Sequence, residues 1–165
     1  MAETLYGSLV SNGYMNTYPP VHAEGAFEAG RVRYMVDTVE ASANAAVGSK
    51  YYLGKIPSNA VVIPAMSKAS WDDLHAGAGS PTVSIGAKTS SGSGSDTALM
   101  AATSVTTAGT GTLGSTDIAN YGKRVWELAG LSSDPGGKMD VYAIIAGNLI
   151  DTAGTITVAI GYSER

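Results

Sequence analysis

The chain has 165 residues, no cysteine, a formal net charge of −4 and only 15% charged residues against 21 glycines. Without cysteine there are no disulfides, thiolate metal sites or thiol nucleophiles. The acidic balance and ten scattered cations do not supply the clustered Lys and Arg that neutralise a phosphate backbone, so no nucleic-acid partner is expected. The length suits one domain, with about two-thirds of the extended surface buried on folding. Low charge and many glycines suit a molecule whose neighbours cover part of it.

The N-terminal MAETLYGSLV carries an acid at Glu3 and no basic region ahead of a long apolar core, so it does not read as a signal peptide. No apolar run is long enough to span a bilayer, and a soluble product used without Sec export and without a membrane is expected. Residues 1–30 place Tyr6, Leu9, Tyr14, Tyr18, Pro19, Pro20 and Phe27 among small polar residues, with Gly7, Gly13, Gly25 and Gly30 breaking any period. We read an extended arm. Its aromatics are too far apart for a local core, so Tyr6, Leu9, Tyr14, Tyr18 and Phe27 are candidate contacts to a neighbouring surface.

The domain is expected over 31–165. Arg31–Glu40, RVRYMVDTVE, alternates Val32, Tyr34, Val36 and Thr38 against Arg33, Met35 and Asp37, the period of a strand with one dry face. Lys50–Lys55 resumes extended character before Ile56-Pro57-Ser58-Asn59, where proline denies a ladder donor and presets a turn. Ala60–Ala65 is apolar on both faces, as in the middle of a sandwich. Ser67–Leu74 fits a helical turn or a strand end equally, with Trp71 at the core margin. Thr82–Lys88, TVSIGAK, alternates again and leads into the polar loop Thr89–Ser95. Asp96–Ala108 is strand-friendly, and Ile118–Leu128, interrupted by Gly122, suits an edge strand or a helix. Met139–Ala146 and Thr155–Tyr162 are the clearest late strands, with turn chemistry at Gly147-Asn148 and Ala153-Gly154. No strand and helix alternation indicates a doubly wound sheet. The pattern predicts an all-β fold, a β-sandwich or jelly roll of about eight short strands with an extended N-terminal arm.

Chemical signatures are sparse. Gly109-Thr-Gly111-Thr-Leu-Gly114 matches G-x-G-x-x-G, but Ser115, Thr116 and Asp117 stand where the helix should begin, so a turn that binds no nucleotide is expected. His22 and His75 are isolated; His75 with Asp72 and Asp73 is the one metal-like grouping, better read as solvated acids at a loop edge. No G-x-S-x-G elbow occurs. Glu24, Glu28, Asp37, Glu40, Asp72, Asp73, Asp117 and Glu127 could pair in space as glycosidase carboxylates, yet any such chain carries acids. Trp71, Trp126, Tyr51 and Tyr52 could line a sugar-binding face, but such residues more often seal a core or an interface. No catalytic residue, metal site or cofactor is expected.

The succession RVRYMVDTVE, YYLGKIPSNAVVI, TVSIGAK, LMAATSVTTAGT, YGKRVWELAG and MDVYAIIAGNLIDTAGTITVAIGYSE resembles the small head decoration, or cement, proteins of tailed bacteriophages, across roughly residues 31–164. The likeness lies in the order of strand types and a closing strand pair rich in Gly and Thr. It implies a β-sandwich without catalysis, a homodimer or homotrimer, and attachment to the major capsid protein on the outer surface of the virion, after synthesis in the host cytoplasm. A tail-fibre or spike module with a glycan-binding role is the alternative.

Overall fold

The structure is a computed structural model describing residues 31–115 and 117–164. Among the described residues nine strands form two antiparallel sheets. Their ranges are β1 Val32–Ala41, β2 Lys50–Pro57, β3 Val61–Val62, β4 Lys68–Trp71, β5 Thr82–Lys88, β6 Gly94–Ser104, β7 Gly109–Thr112, β8 Lys138–Ala146 and β9 Gly154–Ser163. One sheet runs β1-β9-β4-β7, with β3 also on β9; the other runs β2-β8-β5-β6. The expected all-β sandwich is the observed one. A four-residue helix, α1, covers Val125–Leu128, and 3₁₀ turns occupy Pro64–Met66 and Ile118–Asn120.

The core forms where the period-two patterns of the two sheets meet. Ile156, Val158, Ile160 and Tyr162 of β9 and Met139, Val141, Ala143 and Ile145 of β8 are buried at alternate positions and face each other between the sheets. Leu53, Ile56, Val83, Ile85, Leu99 and Leu113 complete it. Pro57, the last residue of β2, pairs with Lys138 at the sheet end, where a missing donor costs little.

The apolar run Ala60–Ala65 is only half a strand. Pro64 opens a 3₁₀ turn, so the chain steps away after Val62 and rejoins β9 as β4. Ser67 repairs the gap: its buried hydroxyl donates to the Ile63 carbonyl at 2.7 Å and accepts the Gly161 N–H at 3.0 Å. Ser67–Leu74, open to two readings from sequence, contains strand β4. Ile118–Leu128 forms the 3₁₀ turn and α1 instead of an edge strand.

Strand β1 corrects the sequence reading. Its period is as expected, but the face turned to the core is Met35, Val39 and Ala41, while Val32, Tyr34 and Val36 are 45%, 55% and 66% exposed. Register with β9 decides this, because Met35 pairs with Ile160 and Val39 with Ile156, both inward residues. Met35 also rests on β2 at Gly54, where a Cβ would lie 2.9 Å from its Sδ. Gly54, at φ +136° beside a bulge, allows that approach.

Candidate functional surfaces

The outer face of the β1-β9-β4-β7 sheet is the most distinctive surface. Register aligns Val32, Tyr34, Val36, Thr38 and Glu40 of β1 with the small residues Ser163, Gly161, Ala159, Thr157 and Thr155 of β9. Beyond them come Lys68 and Ser70 of β4, then Thr112 and Thr110 of β7. One half is apolar, with the exposed Met66 and the Tyr34 ring closing over Gly161. The other half is a threonine and serine surface, tied by a 2.8 Å hydrogen bond between the Thr38 and Thr157 hydroxyls. Lys68 and Glu40 are its charged residues. About half of Val32, Tyr34 and Val36 is left in water, so covering the ridge is worth roughly 3 kcal/mol before ordering costs. The sequence carries this ridge in plain sight, but its alternation alone does not say which face is inside.

On the other sheet, Tyr52 and Tyr142 meet edge to face outside, with ring centroids 5.6 Å apart. Lys55 pairs with the buried Asp140 at 3.1 Å, and Lys88 with Asp96 at 2.5 Å. The bond to Asp140 raises the Lys55 pKa above its ordinary value. Tyr142 is also raised, chiefly by burial. Tyr51 points the other way and packs on the core, as do Trp126 and the buried Trp71, whose indole N–H donates to the Thr107 carbonyl at 3.2 Å. Thus the four aromatics considered for a sugar face share no face, and three of them pack on the core.

A groove of about 650 Å³ lies between β6, the end of β7 and α1, lined by Thr97, Ala101, Thr112, Asp117, Lys123 and Glu127 among others. The glycine motif borders it but does not form a phosphate cradle. Gly109–Thr112 is strand β7, paired with β4, and no helix starts within the motif. A Cβ on Gly109 would lie 3.0 Å from the Trp71 ring, and one on Gly111 2.5 Å from the Met100 Sδ. The first two glycines make room for core side chains. Gly114, at φ +81°, turns the chain out of the strand and donates its N–H to the Leu99 carbonyl at 2.8 Å. The turn expected for the whole motif is therefore confined to its end.

The acids considered for catalysis are dispersed and occupied by backbone. Asp72 accepts the Thr155 hydroxyl at 2.6 Å and its N–H at 2.8 Å, and these bonds hold its pKa below the usual carboxylate value. Asp73 accepts the His75 N–H at 3.1 Å, Asp117 the Ala119 N–H at 3.0 Å and Glu127 the Arg124 N–H at 2.7 Å. Asp37 and Glu40 lie exposed on β1. Asp72 and Asp73 are exposed just past the end of β4, as expected of solvated acids at a loop edge, but His75 beside them is buried, and its Nδ1 lies 3.2 Å from Oδ1 of Asp151, a residue its sequence neighbourhood does not suggest. Asp151 also accepts the Ala76 and Gly77 N–H groups; chiefly the Ala76 bond lowers its pKa. The arrangement closes a loop against the β8–β9 turn. Among the described residues no three His, Asp or Glu side chains converge as a metal set. Tyr6, Leu9, Tyr14, Tyr18 and Phe27, with His22, Glu24 and Glu28, lie outside the described residues.

Comparison with solved structures finds the same architecture in two phage capsids. A chain of the cyanophage Pam1 capsid asymmetric unit superposes with a TM-score of 0.56 at 19% identity, covering 92% of this chain and 99% of that one. A chain of the capsid of Ralstonia phage GP4 gives a TM-score of 0.61 at 20% identity, covering 83% of this chain and 86% of its own. The chain shares its fold with proteins of phage capsids. No family model and no curated protein sequence matches it. At such identity the likeness is one of backbone architecture.

Proposed function

We infer that this chain is a non-enzymatic structural protein of a tailed-phage virion, placed on the outer surface of the head, where it stabilises the shell by binding across neighbouring major capsid protein subunits. The observation that carries this reading is the shared fold with chains from two phage capsids, over nearly the full length of one and most of the other. The exposed ridge of Val32, Tyr34 and Val36 beside a threonine-rich, charge-poor sheet face supports it, since such a face is suited to being covered. A rigid sandwich bound across several subunits adds buried apolar area to contacts strained by internal DNA pressure. In this reading the protein is a homodimer or homotrimer, and the arm residues Tyr6, Leu9, Tyr14, Tyr18 and Phe27 reach a neighbouring chain or the shell. The glycan-binding alternative wants exposed Trp and Tyr on one face; Trp71 and Trp126 pack on the core, and the exposed tyrosines among the described residues are spread out, Tyr34 on β1, Tyr52 on β2 beside Tyr142, and Tyr121 before α1. Negative staining of infected lysate with a gold-labelled tagged copy tests the assignment. Label over heads is expected, and label confined to tails would reject it.

A further inference from the structure

Strand β1 has ten residues, no proline and an unbroken register with β9, yet among the described residues no strand pairs with its other edge. Natural edges of this length are usually shortened, bulged or guarded. Which backbone groups face that edge follows from β9. The Gly161 carbonyl accepts the Ile63 N–H at 2.8 Å and its N–H donates to the Ser67 hydroxyl at 3.0 Å, so both point away from β1. Gly161 opposes Tyr34, making that a non-hydrogen-bonded pair. Thr38 and Thr157, with hydroxyls 2.8 Å apart, form another. The N–H and C=O groups of Val32, Tyr34 and Val36 therefore point to the open edge. Thr38 is the first guarded position, its N–H taken by the Asp37 carboxylate at 2.8 Å.

We propose that this edge pairs, antiparallel, with the same edge of a second copy of the chain, with the two-fold axis between the two Met35 residues. Tyr34 of each copy then opposes Val36 of the other as a hydrogen-bonded pair, an aromatic beside a β-branched side chain, and the two apolar ridges become one. Arg33 and Asp37, exposed on the opposite face of the strand, oppose each other twice at non-hydrogen-bonded positions, where side chains come closest. Four residues apart in one strand, they are too distant to pair with each other within a chain. Arg33 keeps its 3.3 Å contact with Glu164 and has donors to spare. Charge and donor supply choose this axis over its neighbours. An axis at Arg33 or at Asp37 sets like charges together. An axis at Val36 puts Thr38, whose N–H is already engaged, opposite Tyr34 inside the ladder, and an axis at Tyr34 sets Arg33 against Met35. With the axis at Met35, Thr38 opposes Val32 and closes the ladder at both ends.

The pairing rests on the self-association in the proposed function and is separate from attachment to heads: a chain that binds heads while staying monomeric would reject the dimer and leave the attachment standing. A paired edge is smaller than a standard interface, so the full chain should show a monomer–dimer equilibrium in the micromolar range. Arg33→Asp sets aspartates against each other at both charge positions, and Asp37→Arg sets arginines there. In sedimentation equilibrium at about 0.05 M salt, each variant alone should dimerise at least about tenfold more weakly than the wild type. Mixed in equal amounts, the two variants present opposite charges at both positions, and dimerisation should return to within about threefold of wild type. Mixing does not rescue a variant that has merely unfolded. A wild-type monomer at every concentration, as when the edge is covered by its own chain, would overturn the pairing. So would a trimer, a dimer indifferent to both substitutions, or no recovery on mixing. Amide exchange reads the same edge without substitutions: the Tyr34 and Val36 N–H groups should gain at least about tenfold protection as the wild-type chain is concentrated from monomer to dimer. Protection independent of concentration would overturn the proposal.

Discussion

Gly109→Ala separates a glycine kept for packing from one kept for a ligand. Alanine in a strand is ordinarily favoured over glycine by roughly 0.5–1 kcal/mol, because glycine loses more freedom on folding. Here the new Cβ would meet Cζ2 of Trp71 at 3.0 Å and Cε2 and Nε1 at 3.1 Å, whereas carbon atoms rest at about 3.5–4.0 Å. The indole cannot swing aside, since it is 5% exposed and tied to the Thr107 carbonyl. Overpacking against a fixed ring outweighs the backbone gain, and we expect a net loss of about 1–2 kcal/mol. At a typical urea slope near 2 kcal/mol/M, the unfolding midpoint followed by tryptophan fluorescence should fall by about 0.5–1 M. Gly111→Ala is the internal comparison. Its nearest contact is shorter, 2.5 Å to the Met100 Sδ, but a thioether on a flexible stem can move, so the loss should be smaller, under about 1 kcal/mol. A Gly109→Ala midpoint at or above wild type, or a larger loss at Gly111, would refute the packing account.

The same account predicts no rise in melting temperature with NAD, FAD or ATP; a concentration-dependent rise with any of them would restore a nucleotide site at residues 109–114. Ser67→Ala strands the Gly161 N–H in the fully buried join between β3 and β4 and should cost about 1–3 kcal/mol in urea unfolding, and a neutral result would remove the hydroxyl from the ladder. Asp72, Asp134 and Asp151 all have pKa values lowered in the fold by hydrogen bonds, first those from Thr155, Ser58 and the Ala76 N–H respectively. Their stabilisation is therefore present above the unfolded carboxylate range and is lost as pH falls through the folded values, so melting temperature should hold from pH 7 to about 5 and drop below about 4. Asp72→Asn should flatten part of that drop.

Sequence pattern reached the sandwich because β5, β8 and β9 carry alternation that survives alone: TVSIGAK is the whole of β5, and MDVYAIIA and TITVAIGY lie wholly within β8 and β9, which extend beyond them by no more than one residue at either end. It missed the orientation of β1 because both alternating sets there hold apolar residues, and only the register with β9 chooses Met35 over Tyr34. It overextended the run after Ala60 because Pro64 ends β3 where hydropathy continues. It left β4 open because four residues are too few to show a period, and it could not connect His75 with Asp151, which meet only when a loop and the β8–β9 turn pack together. The resemblance to phage head decoration proteins rested on the order of strand types, and the comparisons meet it at the level of a fold shared with chains of two phage capsids.

The most direct test of the proposed function is co-sedimentation of the purified protein with undecorated phage heads, from about 0.1 to 1 M salt, over which the Debye length falls from about 10 to 3 Å. An attachment made by a charge-poor sheet face and small residues displaces few counterions, so the bound fraction should stay nearly constant across the series. Loss of binding at moderate salt would contradict the apolar interface. Failure to bind heads at any salt would contradict the head assignment itself.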